Sequence, residues 1–497
     1  MDCRHHPTCP GCPLLDRPYE AQLDVKRERL AAAFGRYPHL RLPVPDRVHE
    51  ALHTEGYRHR LKLPVDVRGG RVVAGLYDPT SGRVLDTPDC PVLHPDLREA
   101  LPAILKWAEG RRGLHALDLR RSSATGQMQL VIACQGGDLH GGPRGARQLV
   151  SRVPGLVSVA VSKADRERKR VMGRGARVVA GVAAIDEAIG DVRYRLHPGA
   201  FFQVDPRNAA WIHDRVRGFV GDAPRVLDLY AGVGAYALML AEGRDRVVAI
   251  EEVPQAARAA RDRAPDNVEV VASRVEAAEL TEKFDAVVIN PARRGSDPKT
   301  LAALARVAPR LVYVSCGPET LARDLDILAA HGLRVAEVDA IDLFPHTAEV
   351  ETVVRLERGK PLSTWQGQQS PWPANARSSG ARGRPNRVLA LVIGKTEAQG
   401  TLPGARYRRV GVVATHSLLR LDLEGPLVPA LAALARRGHP VAGRDPRTAR
   451  FFADKAGLLR PFLHVERAGK HRARLHGDLV QALIELGASS DVMTRAA

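Results

Sequence analysis

Cys316 closes an apolar run, Tyr313-Val314-Ser315-Cys316-Gly317-Pro318, just ahead of a helix predicted over Glu319–Ala330. The macrodipole at a helix N-terminus lowers a thiol pKa and favours the nucleophilic thiolate. A single cysteine more often serves as a small core hydrophobe, but a place at a strand end favours the nucleophile. Some way on, Asp342-Leu343-Phe344-Pro345-His346-Thr347-Ala348-Glu349-Val350-Glu351 ends in two carboxylates at alternate spacing. Glu351 opens the last apolar strand and is the candidate base; a solvated strand-edge carboxylate is the plainer reading of either acid. A thiol and a base together suit pyrimidine chemistry. C5 of uracil is too weak a nucleophile to take a methyl group directly. Thiolate addition at C6 turns C5 into an enolate carbon, and a base must then remove the C5 proton so that the thiol can leave.

A second constellation points to a nucleoside cofactor. Arg225-Val226-Leu227-Asp228-Leu229-Tyr230-Ala231-Gly232-Val233-Gly234 reads as a strand running into a glycine turn, with a helix following over Tyr236–Glu242. Gly232 and Gly234 let backbone approach a ligand at the carboxyl end of the strand. The next strand, Val247-Val248-Ala249-Ile250, ends in Glu251, a carboxylate placed to bind ribose hydroxyls. The turn continues as Ala235-Tyr236-Ala237, without the third glycine of a dinucleotide fingerprint. S-adenosylmethionine carries no phosphate and tolerates that. Val288-Ile289-Asn290-Pro291-Ala292-Arg293-Arg294-Gly295 closes a further strand, so Asn290 joins the sheet edge where open α/β folds gather their sites.

Three more cysteines cluster as Cys3-x5-Cys9-x2-Cys12, and Cys90 lies in a Pro-bounded turn, Thr87-Pro88-Asp89-Cys90-Pro91. Four thiolates hold either an iron–sulfur cluster or a structural zinc. His5 and His6, inside the cluster, keep zinc open.

These residues need elements to position them. Residues 20–35 are predicted as an amphipathic helix, with Ala21, Leu23, Val25, Leu30 and Phe34 among charges. Strands follow at 61–67, 72–77, 127–134, 157–162 and 192–197, an α+β pattern before residue 200. From about 206 helices alternate with apolar strands at 225–229, 246–250, 268–272, 285–289 and 310–314, which predicts a doubly wound parallel sheet. The chain thus divides into 1–200, an α+β domain, 201–357, the cofactor domain, a Gly-, Pro- and Ser-rich linker at 358–386, and a last α+β segment at 387–488.

The chain has 497 residues with 74 Lys and Arg against 56 Asp and Glu, a net charge of +18. That balance suits a polyanionic partner such as nucleic acid, although an Arg-rich proteome would also produce it. The densest basic run, Lys163–Arg170 with Arg174 and Arg177, reads equally well as phosphate contact or as a solvated hairpin tip. No apolar run reaches the roughly twenty residues of a membrane span. The N-terminus has no hydrophobic stretch of a signal peptide, so a cytoplasmic protein is expected.

Taken as a set, the motifs resemble the RNA 5-methyluridine methyltransferases of the TrmA/RumA type. The resemblance runs from Cys3 to about Leu356 and includes Gly56-Tyr57-Arg58-His59-Arg60, Phe201-Phe202-Gln203 and Ser315-Cys316-Gly317-Pro318-Glu319-Thr320-Leu321-Ala322-Arg323-Asp324-Leu325. With the cysteine cluster beginning at residue 3, no TRAM-like RNA-binding barrel is expected ahead of it. That, with Asn290 in place of the usual Asp, looks most like the RumB-like branch acting on ribosomal RNA. The resemblance implies a Rossmann-like class I methyltransferase domain with Cys316 as nucleophile and Glu351 as proton acceptor. It implies that Gln203, Tyr230, Glu251 and Asn290 contact S-adenosyl-L-methionine, and that Cys3, Cys9, Cys12 and Cys90 hold a [4Fe-4S] cluster. The implied partner is structured RNA, ribosomal or transfer, bound by a monomer. Ala292 replaces the second proline of the family's D/N-P-P-R motif, Gly317 the Asn after the nucleophile, and Ala235 a frequent Asn; none removes an essential group. The rival readings are 5-methylcytidine formation, which also uses a Cys adduct, and a non-catalytic RNA-binding or assembly factor. The C-terminal segment, through Leu389–Lys395, Ser417-Leu418-Leu419 and Arg460–His464, resembles the second half of an RluA-type pseudouridine synthase that lacks its catalytic half.

Overall fold

The computed structural model describes residues 2–164, 172 and 175–363 of one compact unit, Met1–Ser363. In a second unit, Thr364–Ala497, it describes 379–380, 385–393, 395–403, 405–413, 416–424, 430–431, 433–434, 437, 439, 441, 463–468, 471–472 and 483. Most of the basic run (165–171, 173–174), most of the expected linker (364–378, 381–384) and the C-terminal stretches 425–429 and 442–462 lie outside the described residues.

The first unit opens with α1 (Tyr19–Gly35) and a six-stranded sheet: β1 (Arg60–Arg68), β2 (Arg71–Ala74), β3 (Leu114–Arg121), β4 (Met128–Cys134), β5 (Leu156–Lys163) and β6 (Arg177–Gly181). Their order is β2-β1-β3-β4-β5-β6. Only β4 and β5 pair in parallel, across the helix α3 (Gly142–Arg152); α2 (Pro95–Ala108) precedes β3. Helix α2 starts where Pro95 fits the first turn and His94 accepts from the Asp96 N–H at 3.3 Å. Its Leu97, Leu101, Ile104 and Leu105, at helical spacing, pack on Leu117, Leu119, Leu130 and Ile132 of the sheet. Each such side chain contributes about 1.5–3 kcal/mol by burial, and Leu101→Asp would break the layer.

Two expectations are corrected here. Strand β3 has no counterpart in the periodicity reading, because Asp118 and Arg120 are buried within it. Arg60 on β1 donates to both Asp118 oxygens at 2.8 and 2.6 Å, so a charged pair stands where alternation would show an apolar residue. Helix α1 forms at the predicted place, but its buried stripe is Gln22, Lys26, Leu30, Ala33 and Phe34. Of the apolar residues named from the sequence, Leu30 and Phe34 are buried and Ala21, Leu23 and Val25 half-buried, while Gln22 and Lys26 complete the buried stripe.

A hairpin, β7 (Ile185–Ile189) and β8 (Val192–Leu196), leads into a seven-stranded sheet. It comprises β9 (Arg225–Leu229), β10 (Arg246–Glu251), β11 (Val268–Ala272), β12 (Ala286–Ile289), β13 (Arg310–Ser315), β14 (Leu333–Ile341) and β15 (Glu351–Arg358). The order is β11-β10-β9-β12-β13-β15-β14; the first five are parallel, and β15 runs antiparallel to both neighbours. Helices α4 (Pro206–Val220), α5 (Ala235–Leu240), α6 (Pro254–Arg261), α7 (Pro298–Val307) and α8 (Pro318–Ala330) alternate with these strands. The central strands are buried along their length, which is why they read as continuous apolar runs. Asp205 and Asp297 cap α4 and α7 through side-chain acceptance of N–H groups in their first turns.

The second unit holds a sheet built on the strands Pro385–Ile393, Ala405–Val413 and His416–Leu423, with a core of Val388, Ala390, Val392, Leu419, Leu421 and Leu434. Among the described residues no helix is long and apolar enough to cross a membrane.

Candidate active site

The turn after β9 is built from backbone that most residues avoid. Tyr230 (φ 61°), Gly232 (φ 59°) and Gly234 (φ 83°) all lie in the left-handed region. A Cβ added to Gly232 would meet no atom within 4 Å. One added to Gly234 would come within 3.0 Å of Leu238 and 3.2 Å of Ala260. The two glycines therefore do different work: Gly232 opens on a ligand space, whereas Gly234 lets α5 and α6 close up behind it. Tyr230 is held in its strained conformation through its hydroxyl, 2.8 Å from Ser296 Oγ. Glu251 accepts from Gly232 N–H at 2.8 Å and from Val253 N–H at 2.7 Å. One amide on each oxygen leaves lone pairs free for ribose hydroxyls. Asn290 Nδ2 donates to Tyr236 Oη at 3.4 Å.

A cavity of about 910 Å³ lies at these strand ends, and its wall takes in Gln203, Tyr230, Glu251, Asn290, Cys316 and Glu351. Gly232 is also on the wall; Gly234 is not. The six-stranded sheet supplies a second side that the sequence did not announce: Lys62, Asp118, Val131 and Ser162. Only tertiary structure could reveal them, although the buried charge of Asp118 is a signal in retrospect. Arg60, paired to Asp118, also donates to the Ala200 carbonyl at 2.8 Å and so ties this sheet to the Phe201-Phe202-Gln203 segment. A volume of this size accommodates a nucleoside cofactor beside a nucleobase.

Cys316 and Glu351 are brought together by strand register. In the antiparallel pairing of β13 with β15, Ser315 lies opposite Thr352, whose hydroxyl donates to the Ser315 carbonyl at 3.0 Å. Just beyond that last registered pair come Cys316, which follows β13, and Glu351, which opens β15; both line the cavity, and the Glu351 carboxylate is close enough to act on the thiol. Burial first, then the Glu351 carboxylate, pushes the Cys316 thiol up to about 11. Burial likewise pushes Glu351 up to about 8, against the opposing pull of Arg293. The lowering of the thiol by the α8 N-terminus, expected from sequence, is thus overridden by desolvation and a facing acid. In the free protein both groups are protonated at neutral pH, and proton removal is part of the work the site must do.

Cys134 is buried in β4. Cys3, Cys9, Cys12 and Cys90 are free, partly exposed thiols from two separate segments. Burial pushes Cys12 up to about 12, and Cys90, Cys9 and Cys3 add to the rise; burial also raises Cys90, with Cys9 and Cys3 adding. As a donor set they suit a thiolate-bound cation. Their side chains do not form a closed shell: among the described residues no group of three or more His, Cys, Asp or Glu is arranged to hold a metal ion.

A parallel sheet reversed at one edge, with a ligand cavity at the strand carboxyl ends, defines a class I methyltransferase, and the generic methyltransferase-domain model matches residues 226–312. The tRNA (Uracil-5-)-methyltransferase family model matches residues 273–359. An RNA methyltransferase of Gloeobacter violaceus is 33% identical over 370 residues, covering 70% of this chain and 81% of its own. One from Geobacter sulfurreducens is 32% identical over 392 residues, 72% and 77% of the two chains. Among solved structures, the tRNA (uracil-54, C5)-methyltransferase of Pyrococcus abyssi, in complex with S-adenosyl-L-homocysteine, superposes with a TM-score of 0.57 at 26% identity, over 70% of this chain and 86% of that one. The chain belongs to the RNA uracil-5-methyltransferase family. It is an RNA methyltransferase.

Proposed function

We propose that this enzyme methylates uridine at C5 in structured RNA, ribosomal RNA in preference to transfer RNA, with Cys316 as nucleophile and Glu351 as base. The observation that carries the reading is the Cys316–Glu351 pair, just beyond the β13–β15 register, on the wall of the cavity it shares with the β9 turn. S-adenosyl-L-methionine, when bound, supplies an electrophilic methyl group. Gln203, Tyr230, Gly232, Glu251 and Asn290 hold it, Glu251 by its free lone pairs on the ribose. Cys316 Sγ, its proton released to solvent water, adds as thiolate to C6, and the C5=C6 electron pair moves onto the C4 carbonyl oxygen as an enolate. After C5 has taken the methyl group, Glu351 as carboxylate accepts the C5 proton. The C–H pair re-forms C5=C6, the C6–S bond breaks, and the thiolate returns to Cys316. Arg293, which lowers both the thiol and the acid, assists their ionisation.

The same reading gives the four cysteines a [4Fe-4S] cluster, supported by their soft donor set and by the rise that Cys3 and Cys9 add to Cys12 and Cys90. An anaerobically purified sample should be brown, and a colourless protein with stoichiometric zinc would refute the assignment. It treats the second unit as a pseudouridine-synthase-like remnant that binds RNA, and the whole chain as a cytoplasmic monomer.

The deciding experiment is nucleoside mass spectrometry of separated ribosomal and transfer RNA from a strain lacking the gene, beside one rescued with Cys316→Ala. Loss of 5-methyluridine from one RNA class, unrestored by the variant, is the expected result. Loss of 5-methylcytidine instead, or no change in any modification, would overturn it.

A further inference from the structure

The segment 342–350 leaves the edge strand β14 and delivers Glu351 at the head of β15. Phe344, within it, lines the cavity, and His346 is held at φ 68°. What grips this loop is the polar stripe of α1. Lys26 is fully buried, and its ammonium donates to the carbonyls of Phe344 at 3.1 Å, Thr347, and Glu349 at 2.7 Å. It also lies 3.1 Å from Asp342 Oδ1. One turn earlier, Gln22 Oε1 accepts from His346 N–H at 2.8 Å, and its Nε2 lies 3.3 Å from His346 Nδ1. Nearly one turn later, Arg29 donates to the Ala348 carbonyl at 3.0 Å and to Glu349 Oε2 at 3.3 Å, while forking onto Glu319 of α8 at 3.1 and 3.2 Å.

Gln22, Lys26 and Arg29 stand at i, i+4 and i+7, one face of the helix. That face would be apolar if the helix served only to close a core. A methionine at position 26 would fill the same volume with no charge to desolvate, but it would take the side-chain donor from the Thr347 and Glu349 carbonyls and the cation from Asp342; the Phe344 carbonyl would keep its bonds from Thr347. A lysine ammonium, a compact point with three donors, meets several convergent acceptors at once. All of its partners lie on one loop, and that loop ends two residues before the base.

We propose that Lys26, with Gln22 and Arg29, is a positioning device that holds loop 342–349 in the conformation aiming Glu351 at the C5 proton. The proposal rests on the reading of Glu351 as the base. Cys316 follows β13, outside the loop that Lys26 and Gln22 grip, so thiol addition and methyl transfer do not depend on those two side chains; Arg29 alone also reaches Glu319 of α8. The step that depends on the clamp is proton removal with release of the thiol. A merely structural staple would weaken every step alike.

The test uses the full-length protein, methyl-labelled S-adenosyl-L-methionine, and bulk RNA from a strain lacking the gene. Label in free RNA is compared with label in a detergent-resistant protein–RNA adduct. Glu351→Gln, the reference, should accumulate the methylated adduct. Lys26→Met and the milder Gln22→Leu should still transfer the methyl group yet hold roughly tenfold more of it in the adduct than wild type, within the 10²–10⁴-fold that a positioned base contributes. If Lys26→Met does not fold, Gln22→Leu carries the comparison. Should Glu351→Gln accumulate adduct while the α1 variants release product as wild type does, or lose transfer and release in proportion, the positioning role is refuted and the base stands. If Glu351→Gln itself releases product normally, the base assignment falls and takes the proposal with it.

Discussion

Two buried acids make the ionisation of this site depend on charges that face it. The Glu351 carboxylate disfavours the charged form of Cys316, Glu349 disfavours that of both, and Arg293 favours both. In the free protein, alkylation of Cys316 by iodoacetamide should be slow at neutral pH and rise about tenfold per pH unit below the thiol's pKa. Near pH 9, where Glu351 is mostly ionised, Glu351→Gln should speed alkylation by removing the facing charge, and Arg293→Ala should slow it. Equal rates in the three proteins would refute the coupling. Asp228 offers a stability test. Burial pushes its carboxyl up to about 8, although Ala237 N–H donates to Oδ2 at 2.9 Å, and Oδ1 has no partner. Below its ordinary value of 3.8 the acid is protonated in both folded and unfolded chains. Between 3.8 and about 8 only the unfolded chain ionises, so stability drains as pH rises, by about 1.4 kcal/mol per pH unit. Asp228→Asn keeps the acceptor and removes the proton, so its melting temperature should match wild type near pH 4 and exceed it by several degrees near pH 8.5. A difference that does not grow with pH would count against the buried-acid account.

At the scale of elements, the cofactor turn is held from below by one carboxylate. Asp324 on α8 accepts from Ser296 N–H at 2.8 Å, Tyr313 Oη at 2.6 Å and the Arg323 guanidinium at 2.8 and 2.6 Å, and Ser296 in turn meets Tyr230. Asp324→Ala strands two buried donors, Ser296 N–H and Tyr313 Oη, which should destabilise the fold by about 2–6 kcal/mol; Arg323 is partly exposed and keeps the Arg294 carbonyl. By releasing Tyr230, it should also weaken S-adenosyl-L-homocysteine binding at least tenfold by calorimetry; unchanged affinity in the folded variant would sever this link. Such networks are what the sequence conceals. The central strand expected at 285–289 was legible because Ala286–Ile289, buried along its length, is an unbroken apolar run, and 225–229 and 268–272 were found to the residue although Asp228 and Glu269 interrupt them. Cys316, Glu351, Glu251 and Asn290 were legible because their strands end in chemistry-bearing residues. Strand β3 and the true face of α1 were not, since each buries charge where periodicity looks for hydrocarbon. Lys62 and Ser162 reach the cavity from another sheet and leave no local trace. The direction of the Cys316 shift also required three dimensions, because a helix terminus is visible in sequence and a facing acid is not.

Over the whole molecule, charge and catalysis are divided between the units. Every described residue lining the cavity lies within Met1–Ser363. Residues 364–497 hold 21 of the 74 Lys and Arg but only 9 of the 56 Asp and Glu, so +12 of the net +18 falls there. An Arg-rich proteome would raise cations in both units alike. Here cation density is similar in the two and acids are thinned in the second, the change that lets a surface approach phosphates without repulsion. On the described sheet of this unit Arg387 pairs with Asp422 and Arg406 with Glu424, while Arg408 on Ala405–Val413 is exposed. A chain ending at Ser363 should therefore bind S-adenosyl-L-homocysteine as the full chain does. Its affinity for bulk RNA should fall, and the slope of log affinity against log salt should flatten, by about 0.7–0.9 for each phosphate that the second unit would have neutralised. An unchanged salt slope would mean that the second unit's charge faces solvent, and that the basic edge of the first unit alone meets the RNA.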